Sequence, residues 1–434
     1  MILKKTNYIK WKIIKMYRYF SEMGLSNTIV FLTNKLWKWI RSKTPTNPQI
    51  EKFRKNDFLN LWKENISEKQ RIAVVVSTFY DLNGRDYMQG GAERYIVELS
   101  KIIHTLGASL EVYQCGNQTW HKIHEGIHVF GLNTNGYNIK RLNEAYHDWV
   151  PKPTLSIYFQ LLLASPKFNT PSICVSHGVD WDAHWLQKDN SKYTNLIHDV
   201  LSSCKNVNII VSVDTNTINW LRATDYDLSE KCVYIPNFVD LNKFNLIKKE
   251  GKEEVTILFP RRLTDARGFW LIQKIIPDLL SRYENISIEF CGKAEKFEEV
   301  EVKKLTEKYD GKIKWYDTAP DKMGEVYQNA DIVIIPTRYS EGTSLSCLEA
   351  LASGKPVIVT NVGGLTDIVL AEFNGTMIEP NSSELFNSIC RLIENPNLRE
   401  KLSANALISV QSFNLSLWQN RWIQILKKYI NLYE

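Results

Sequence analysis

Twice along this chain a short β-branched run opens into a loop, a helical period and a further strand, and that alternation leaves few folds open to it. The first run is Ile72-Ala73-Val74-Val75-Val76, apolar at every position, as in a parallel strand covered on both faces. A loop over 77–89 and Gly90-Gly91 follow, and then Ile96, Leu99, Ile102, Ile103 and Leu106 recur at helical spacing as far as Gly107. Residues 109–114 return to a strand. Further strands are expected at 155–158, 173–176 and 209–213. After a linker from Pro236-Asn237-Phe238-Val239-Asp240 to 254, the alternation restarts. Strands are expected at 255–259, 287–291, 313–316, 332–336 and 357–360, with a short one near Thr376, and helices at 269–283, 321–329 and 344–353. Repeated βαβ units make an α/β protein with two doubly wound, Rossmann-like halves, and such halves place a ligand at the carboxyl ends of their strands.

The length of 434 residues is ample for two such domains. With 44% hydrophobic and 24% charged residues, the chain reads as an ordinary globular protein. Seven scattered cysteines, with no C-x-x-C, fit a reducing compartment. The net charge of +6 is unevenly spread: residues 1–50 hold ten Lys/Arg against one acid, Glu22, so the remainder is slightly acidic. A basic surface for nucleic acid is therefore not expected.

Within that basic segment Ile9, Ile13, Met16, Tyr17 and Phe20 share one helical face, and Ile29, Leu32, Leu36 and Ile40, with Trp37 and Trp39, repeat the pattern. Neither stretch reaches the ~18 to 20 uninterrupted apolar residues of a spanning helix. No small-residue cleavage site follows, which argues against a signal peptide. The expectation is a pair of interfacial helices binding an anionic membrane surface through residues 1–43, which would place the protein in the cytoplasm, peripherally on the inner face of the cell membrane. The alternative is packing on the protein's own body or on a partner chain. Residues 44–71 read as a linker or short helices.

The most informative segment is Tyr339-Ser340-Glu341-Gly342-Thr343-Ser344-Leu345-Ser346-Cys347-Leu348-Glu349-Ala350, which follows a buried strand and opens a helix. A helix start aims N–H groups and the positive end of its dipole at the cleft, which suits an anionic diphosphate. Glu349, eight residues after Glu341, stands where a carboxylate can accept both hydroxyls of a ribose. Equally, Ser346-x-x-Glu349 matches a capping box, in which Glu349 would serve only the backbone.

This segment resembles the E-x7-E signature of retaining GT-B glycosyltransferases of family four, and the likeness runs on through Leu351, Gly354, Pro356, Val357 and Asn361-Val362-Gly363-Gly364-Leu365. Arg261-Arg262-Leu263-Thr264-Asp265-Ala266-Arg267-Gly268 is similar to the family's R-L-x-x-x-K-G, with Arg267 in the lysine position. Gly90-Gly91-Ala92-Glu93-Arg94 resembles its glycine loop, and Ile235 to Asp240 its I-P-N-G-V-D linker, with Phe238 in place of glycine. The resemblance covers about 71–434. The basic amphipathic extension and linker then occupy 1–70, and the resemblance implies an acceptor domain over 71–240, a nucleotide-sugar domain over 241–412 and a terminal helix over 413–434 that crosses back. It also implies that Glu349 holds the ribose and that Glu341 lies near the transferred sugar. Arg262, Arg267 and the amides of Gly342, Thr343, Ser344 and Leu345 would bind the diphosphate. His177 would face the donor sugar, with Gly91 approaching from the opposite wall. No cofactor or metal is expected. The partners would be a nucleotide-diphosphate sugar and a glycan or lipid-linked acceptor, as in bacterial surface polysaccharide biosynthesis.

Two rival readings stay open. Asp180-Trp181-Asp182 is a D-x-D, the metal-binding pair of another glycosyltransferase fold, and the Arg267 and Phe238 departures also suit a non-catalytic nucleotide-sugar-binding protein. A dinucleotide-dependent dehydrogenase is disfavoured, because no G-x-G-x-x-G opens a helix.

Overall fold

The strands gather into two sheets, each built outward from its first strand. In the computed structural model the described residues are 48–66, 70–166, 171–181, 190–246 and 254–430. The segment read as interfacial helices, 1–43, lies outside them, as does Asp182. The first sheet contains β1 (Arg71–Val75), β2 (Ser109–Gly116), β3 (Trp120–His124), β4 (Ile127–Asn133), β5 (Leu155–Tyr158), β6 (Ser172–Ser176), β7 (Ile209–Ser212) and β8 (Cys232–Tyr234). Its order is β3-β4-β2-β1-β5-β6-β7-β8, parallel except where β3 runs against β4. The second contains β9 (Val255–Phe259), β10 (Ile286–Cys291), β11 (Ile313–Tyr316), β12 (Ile332–Ile335), β13 (Val357–Thr360) and β14 (Gly375–Ile378). Its order, β11-β10-β9-β12-β13-β14, is all parallel and follows the 3-2-1-4-5-6 sequence of a doubly wound dinucleotide-type sheet.

Burial explains the apolar runs. Every residue of β1, β6 and β12 is buried, since helices cover both faces of each sheet. In each sheet the winding direction reverses at the first strand, between β2 and β5 in one and between β10 and β12 in the other. Loops leaving the carboxyl ends of β1, β9 and β12 therefore open into a crevice. Both sheets belong to one compact unit, Phe58–Glu434.

The structure adds elements that the sequence did not announce, among them β8 and the helices Ile139–Trp149 and Lys296–Lys308, and two further segments show why. In place of a linker or short helices, residues Pro48–Asn65 form a single helix. Phe58, Leu59 and Trp62 recur at i, i+1 and i+4, and Phe58 is fully buried against Tyr113, Phe130 and Trp149. The β3–β4 hairpin has no counterpart in the expected strands, because its first strand, Trp120-His121-Lys122-Ile123-His124, is a partly exposed sheet edge with no continuous apolar run. Its tight turn is carried by Glu125 and Gly126, both with positive φ, as a two-residue hairpin requires.

The last helix among the described residues, Leu415–Leu426, packs against the helix Gly91–Thr105 beside the first sheet. Trp418 and Trp422 are buried there, and the Trp422 indole donates to the Tyr95 hydroxyl at 2.7 Å. Phe238 packs against Trp418 with centroids 4.5 Å apart and the rings tilted by 47°, so the residue standing in the linker's glycine position fills an aromatic cluster. Among the described residues no helix is long and apolar enough to cross a membrane.

Candidate active site

Between the two sheets lies a cleft of about 1010 Å³, lined from one side by the loops after β1, β5 and β6 and from the other by those after β9, β10 and β12. Glu341 is the centre of the second wall. Its carboxylate accepts from Arg261 at 2.7 Å, from the Thr337 hydroxyl at 2.8 Å, and from Arg267. Burial alone would raise the acid's pKa, but the two guanidinium groups, Arg261 first, hold it below the ordinary value. Glu341 is therefore a fixed anion at neutral pH. Arg261 is itself almost wholly enclosed, with 7% of its side chain exposed, so neither partner has water to fall back on.

The consecutive arginines divide the work. Arg261 turns inward to Glu341, whereas Arg262 is exposed on the cleft wall and forms no ion pair among the described residues. Arg267, expected to meet a diphosphate alongside Arg262, does line the cleft, but its guanidinium is engaged by Glu341 and the Ser340 carbonyl. Of the two cations named from the sequence, Arg262 is the one free to take a phosphate.

Gly342, Thr343, Ser344 and Leu345 all line the cleft at the start of the helix Leu345–Ala352. Ser344 is the N-cap and makes no side-chain cap bond, so the first-turn N–H groups stand open to a cleft ligand. The capping-box alternative does not fit. Ser346 lies inside the helix and donates to the Pro260 carbonyl, while Glu349 binds side chains. Gly342 rests directly on the facing wall, where a Cβ would stand 2.5 Å from the His177 carbonyl oxygen. Gly178, at φ +114°, abuts it from the other side, so both positions demand glycine.

Glu349 does not line the cleft. It is 4% exposed, and its carboxylate is held by Arg94 at 2.6 Å and by the Tyr327 hydroxyl at 3.0 Å. Arg94 belongs to the helix Gly91–Thr105, so this ion pair joins the two walls. A second join is made by Asp367, which accepts from the backbone N–H of Thr215 at 2.7 Å and from its hydroxyl at 2.5 Å. Asn237, in the linker, donates to the Thr343 carbonyl at 2.6 Å.

On the first wall, His177 follows β6 and packs between Tyr95 and Phe159. Burial lowers its pKa to about 4, so the ring is neutral at physiological pH, and its Nε2 has no partner. Gly91 opens its helix beside Leu345, whose side chain would stand 3.2 Å from a Cβ at that position. Glu93, three residues after the Gly90 N-cap, is buried, and that burial raises its pKa. Asp180 lines the cleft as well. Among the described residues no group of three or more His, Cys, Asp or Glu is arranged to hold a metal ion.

Sequence reasoning missed Arg94, Arg261, Thr337 and Tyr327. The arginine doublet after a buried strand was a usable signal for Arg261. Arg94 stood in the glycine-loop likeness without a role, because its partner is 255 positions away.

The family model for glycosyl transferases group 1 matches residues 242–407. An uncharacterized glycosyltransferase of Methanocaldococcus jannaschii is 29% identical over 184 residues, 42% of this chain and 45% of that protein. The lipopolysaccharide 1,2-N-acetylglucosaminetransferase of Salmonella typhimurium is 26% identical over 180 residues, 39% of this chain and 46% of that protein. The chain thus spans about half the length or less of these relatives. Anabaena HepE, solved in complex with UDP, superposes with a TM-score of 0.62 at 17% identity, covering 83% of this chain and all of that one, a likeness of fold. Residues 242–407 are therefore similar to the glycosyl transferases group 1, and they lie within a two-sheet α/β architecture whose fold is that of GT-B glycosyltransferases.

Proposed function

We propose that this protein is a retaining glycosyltransferase that moves a sugar from a nucleoside diphosphate sugar to a glycan or lipid-linked glycan, without a metal ion. The observation that carries the reading is the Glu341 node. A buried carboxylate, fixed by Arg261 and Arg267, stands at the mouth of an uncapped helix N-terminus and across the cleft from a neutral His177.

Each group then has a role. Arg262 and the first-turn N–H groups hold the diphosphate, whose charge grows as the glycosidic bond breaks and its electron pair passes to the β-phosphate oxygen. The ionised Glu341 accepts from hydroxyls of the transferred sugar. His177, being neutral, offers Nε2 as a hydrogen-bonding group and not as a cationic acid. Glu349 takes the ribose diol. The acceptor hydroxyl adds to the anomeric carbon on the face the leaving group vacates, and its proton goes to the departing phosphate. The Salmonella relative's name and the basic segment 1–43 support an acceptor made at the inner face of a membrane, within surface polysaccharide assembly. Co-sedimentation with anionic but not neutral vesicles tests that placement.

The decisive assay incubates a panel of nucleoside diphosphate sugars with the protein and measures nucleotide release with and without EDTA, in wild type and in Arg262→Ala and Glu349→Ala. Release that survives EDTA and collapses in both variants is expected. Release abolished by EDTA would transfer the chemistry to Asp180 and Asp182, and undiminished release in both variants would remove the proposed site. The anomeric coupling constant of the product, read by NMR, decides retention.

A further inference from the structure

The ribose carboxylate assigned above is not accessible from the cleft, and Arg94 is what closes it off. One guanidinium nitrogen of Arg94 lies 2.6 Å from Glu349 Oε1, while the Tyr327 hydroxyl holds Oε2 at 3.0 Å. Glu349 has 6% of its side chain exposed and is absent from the cleft wall, whereas Arg94 has 32% exposed and is part of that wall. A carboxylate has lone pairs enough for more than two donors, so occupancy alone would not exclude a ribose. Coverage does, because a diol reaching Glu349 must take the volume the guanidinium fills. The remaining nitrogens of Arg94 have no partner among the described residues, and Arg262 and the 342–345 loop line the same cleft.

We infer that Arg94 is an exchanging cation: it covers Glu349 in the empty cleft and, when a nucleoside diphosphate enters, yields the carboxylate to the ribose and moves to the diphosphate. This rests on the proposed donor site and adds a residue to it. Charge is conserved in the exchange. The Arg94–Glu349 pair is replaced by an Arg94–phosphate pair, and Glu349 keeps Tyr327 while gaining two hydroxyl donors, so no buried charge is left alone. Arg94 is a positioning residue in the empty state and a donor-binding residue in the filled one.

The exchange makes a prediction of opposite sign for two ligands that differ only in the diphosphate. A nucleoside has to displace Arg94 and gains nothing from it, whereas its diphosphate recovers a charge-assisted contact. The experiment is calorimetric titration of UDP, GDP, ADP, CDP and dTDP, each with its parent nucleoside, into the full chain and into Arg94→Ala and Arg94→Met. The methionine variant retains an apolar stem should the alanine variant fold poorly. For the base that binds wild type, the nucleoside is expected to bind the variants about threefold or more tighter, and the diphosphate about tenfold weaker, the size of one hydrogen bond to a charged group. If a diphosphate binds wild type but both ligands shift the same way, or neither shifts, the exchange is wrong and the donor site stands. If none of the five diphosphates binds wild type, the donor site and the exchange fall together.

Discussion

The two walls of the cleft differ in how their polar groups are satisfied. On the wall built from β9 to β14, the buried carboxylate Glu341 comes already paired with Arg261 and Arg267, and Asp265 with Arg338 and the Tyr339 hydroxyl, while the exposed Arg262 is left without an ion pair among the described residues. On the wall built from β1 to β8, the His177 Nε2 and the Trp181 indole nitrogen are buried without partners, beside the rings of Tyr95 and Phe159 for His177 and of Trp220 for Trp181. A paired charge is rigid and keeps its geometry with the cleft empty, which suits groups that must stabilise developing charge without reorganising. An unpaired neutral group is costly until a ligand arrives, which suits recognition of hydroxyls. Arg94–Glu349 and Thr215–Asp367 tie the walls together, so the contrast extends across a seam and is not confined to either domain.

That contrast can be broken at several points. The largest effect is expected from Glu341→Ala, which strands Arg261 and Arg267 beside each other. Stability should fall by ~3 to 5 kcal/mol in chemical denaturation, and donor turnover should fall with it. If the variant is as stable as wild type, the paired-wall description fails. Next comes Arg262→Ala, which removes an exposed cation that supports no ion pair. Turnover should drop by about 100-fold while stability stays within about 0.5 kcal/mol, so kinetics and melting separate the two arginines of the doublet. A smaller change is expected from Asp367→Ala, which removes two hydrogen bonds at the seam. It should cost ~1 to 2 kcal/mol and expand the scattering radius of the ligand-free protein.

The smallest effect is a slope. The folded pKa of His177, about 4, lies below the ordinary 6.5, so between those values the unfolded chain binds the extra proton. Stability attributable to this residue is unaffected above pH 6.5 and declines as pH falls toward 4. His177→Gln should flatten part of that decline. His121 is likewise held near 4 and His124 is lowered, so the comparison is of slopes between variant and wild type. Equal slopes would mean that His177 is not held neutral by burial.

Much of this architecture was legible in the sequence because buried parallel strands leave continuous apolar runs. Ile72 to Val76, Val255 to Phe259 and Ile332 to Ile335 were all identifiable on that ground, and each lies in a sheet core. The β3–β4 hairpin was not, since a half-exposed edge strand carries no such run. Within the site, the Glu341 to Leu345 segment was readable because a helix start has local rules. The fate of Arg267 was not, because its sequence position says that a cation is present and nothing about the carboxylate it would find. The Ser346 and Glu349 spacing matched a cap that never forms, since Pro260 and Arg94 supply nearer partners.

What the sequence determined by itself was therefore everything governed by short-range periodicity: two Rossmann-like halves, their strand cores, and a helix N-terminus aimed at a cleft. Only the tertiary structure decided which charges meet. Arg261 took the inward place beside Glu341, Arg262 was left free, and Arg94 closed over Glu349 from the other domain. The physical reason is range. Hydrophobic patterning and capping act over a few residues of chain, whereas an ion pair depends on distances in space that only the packing of the two sheets sets.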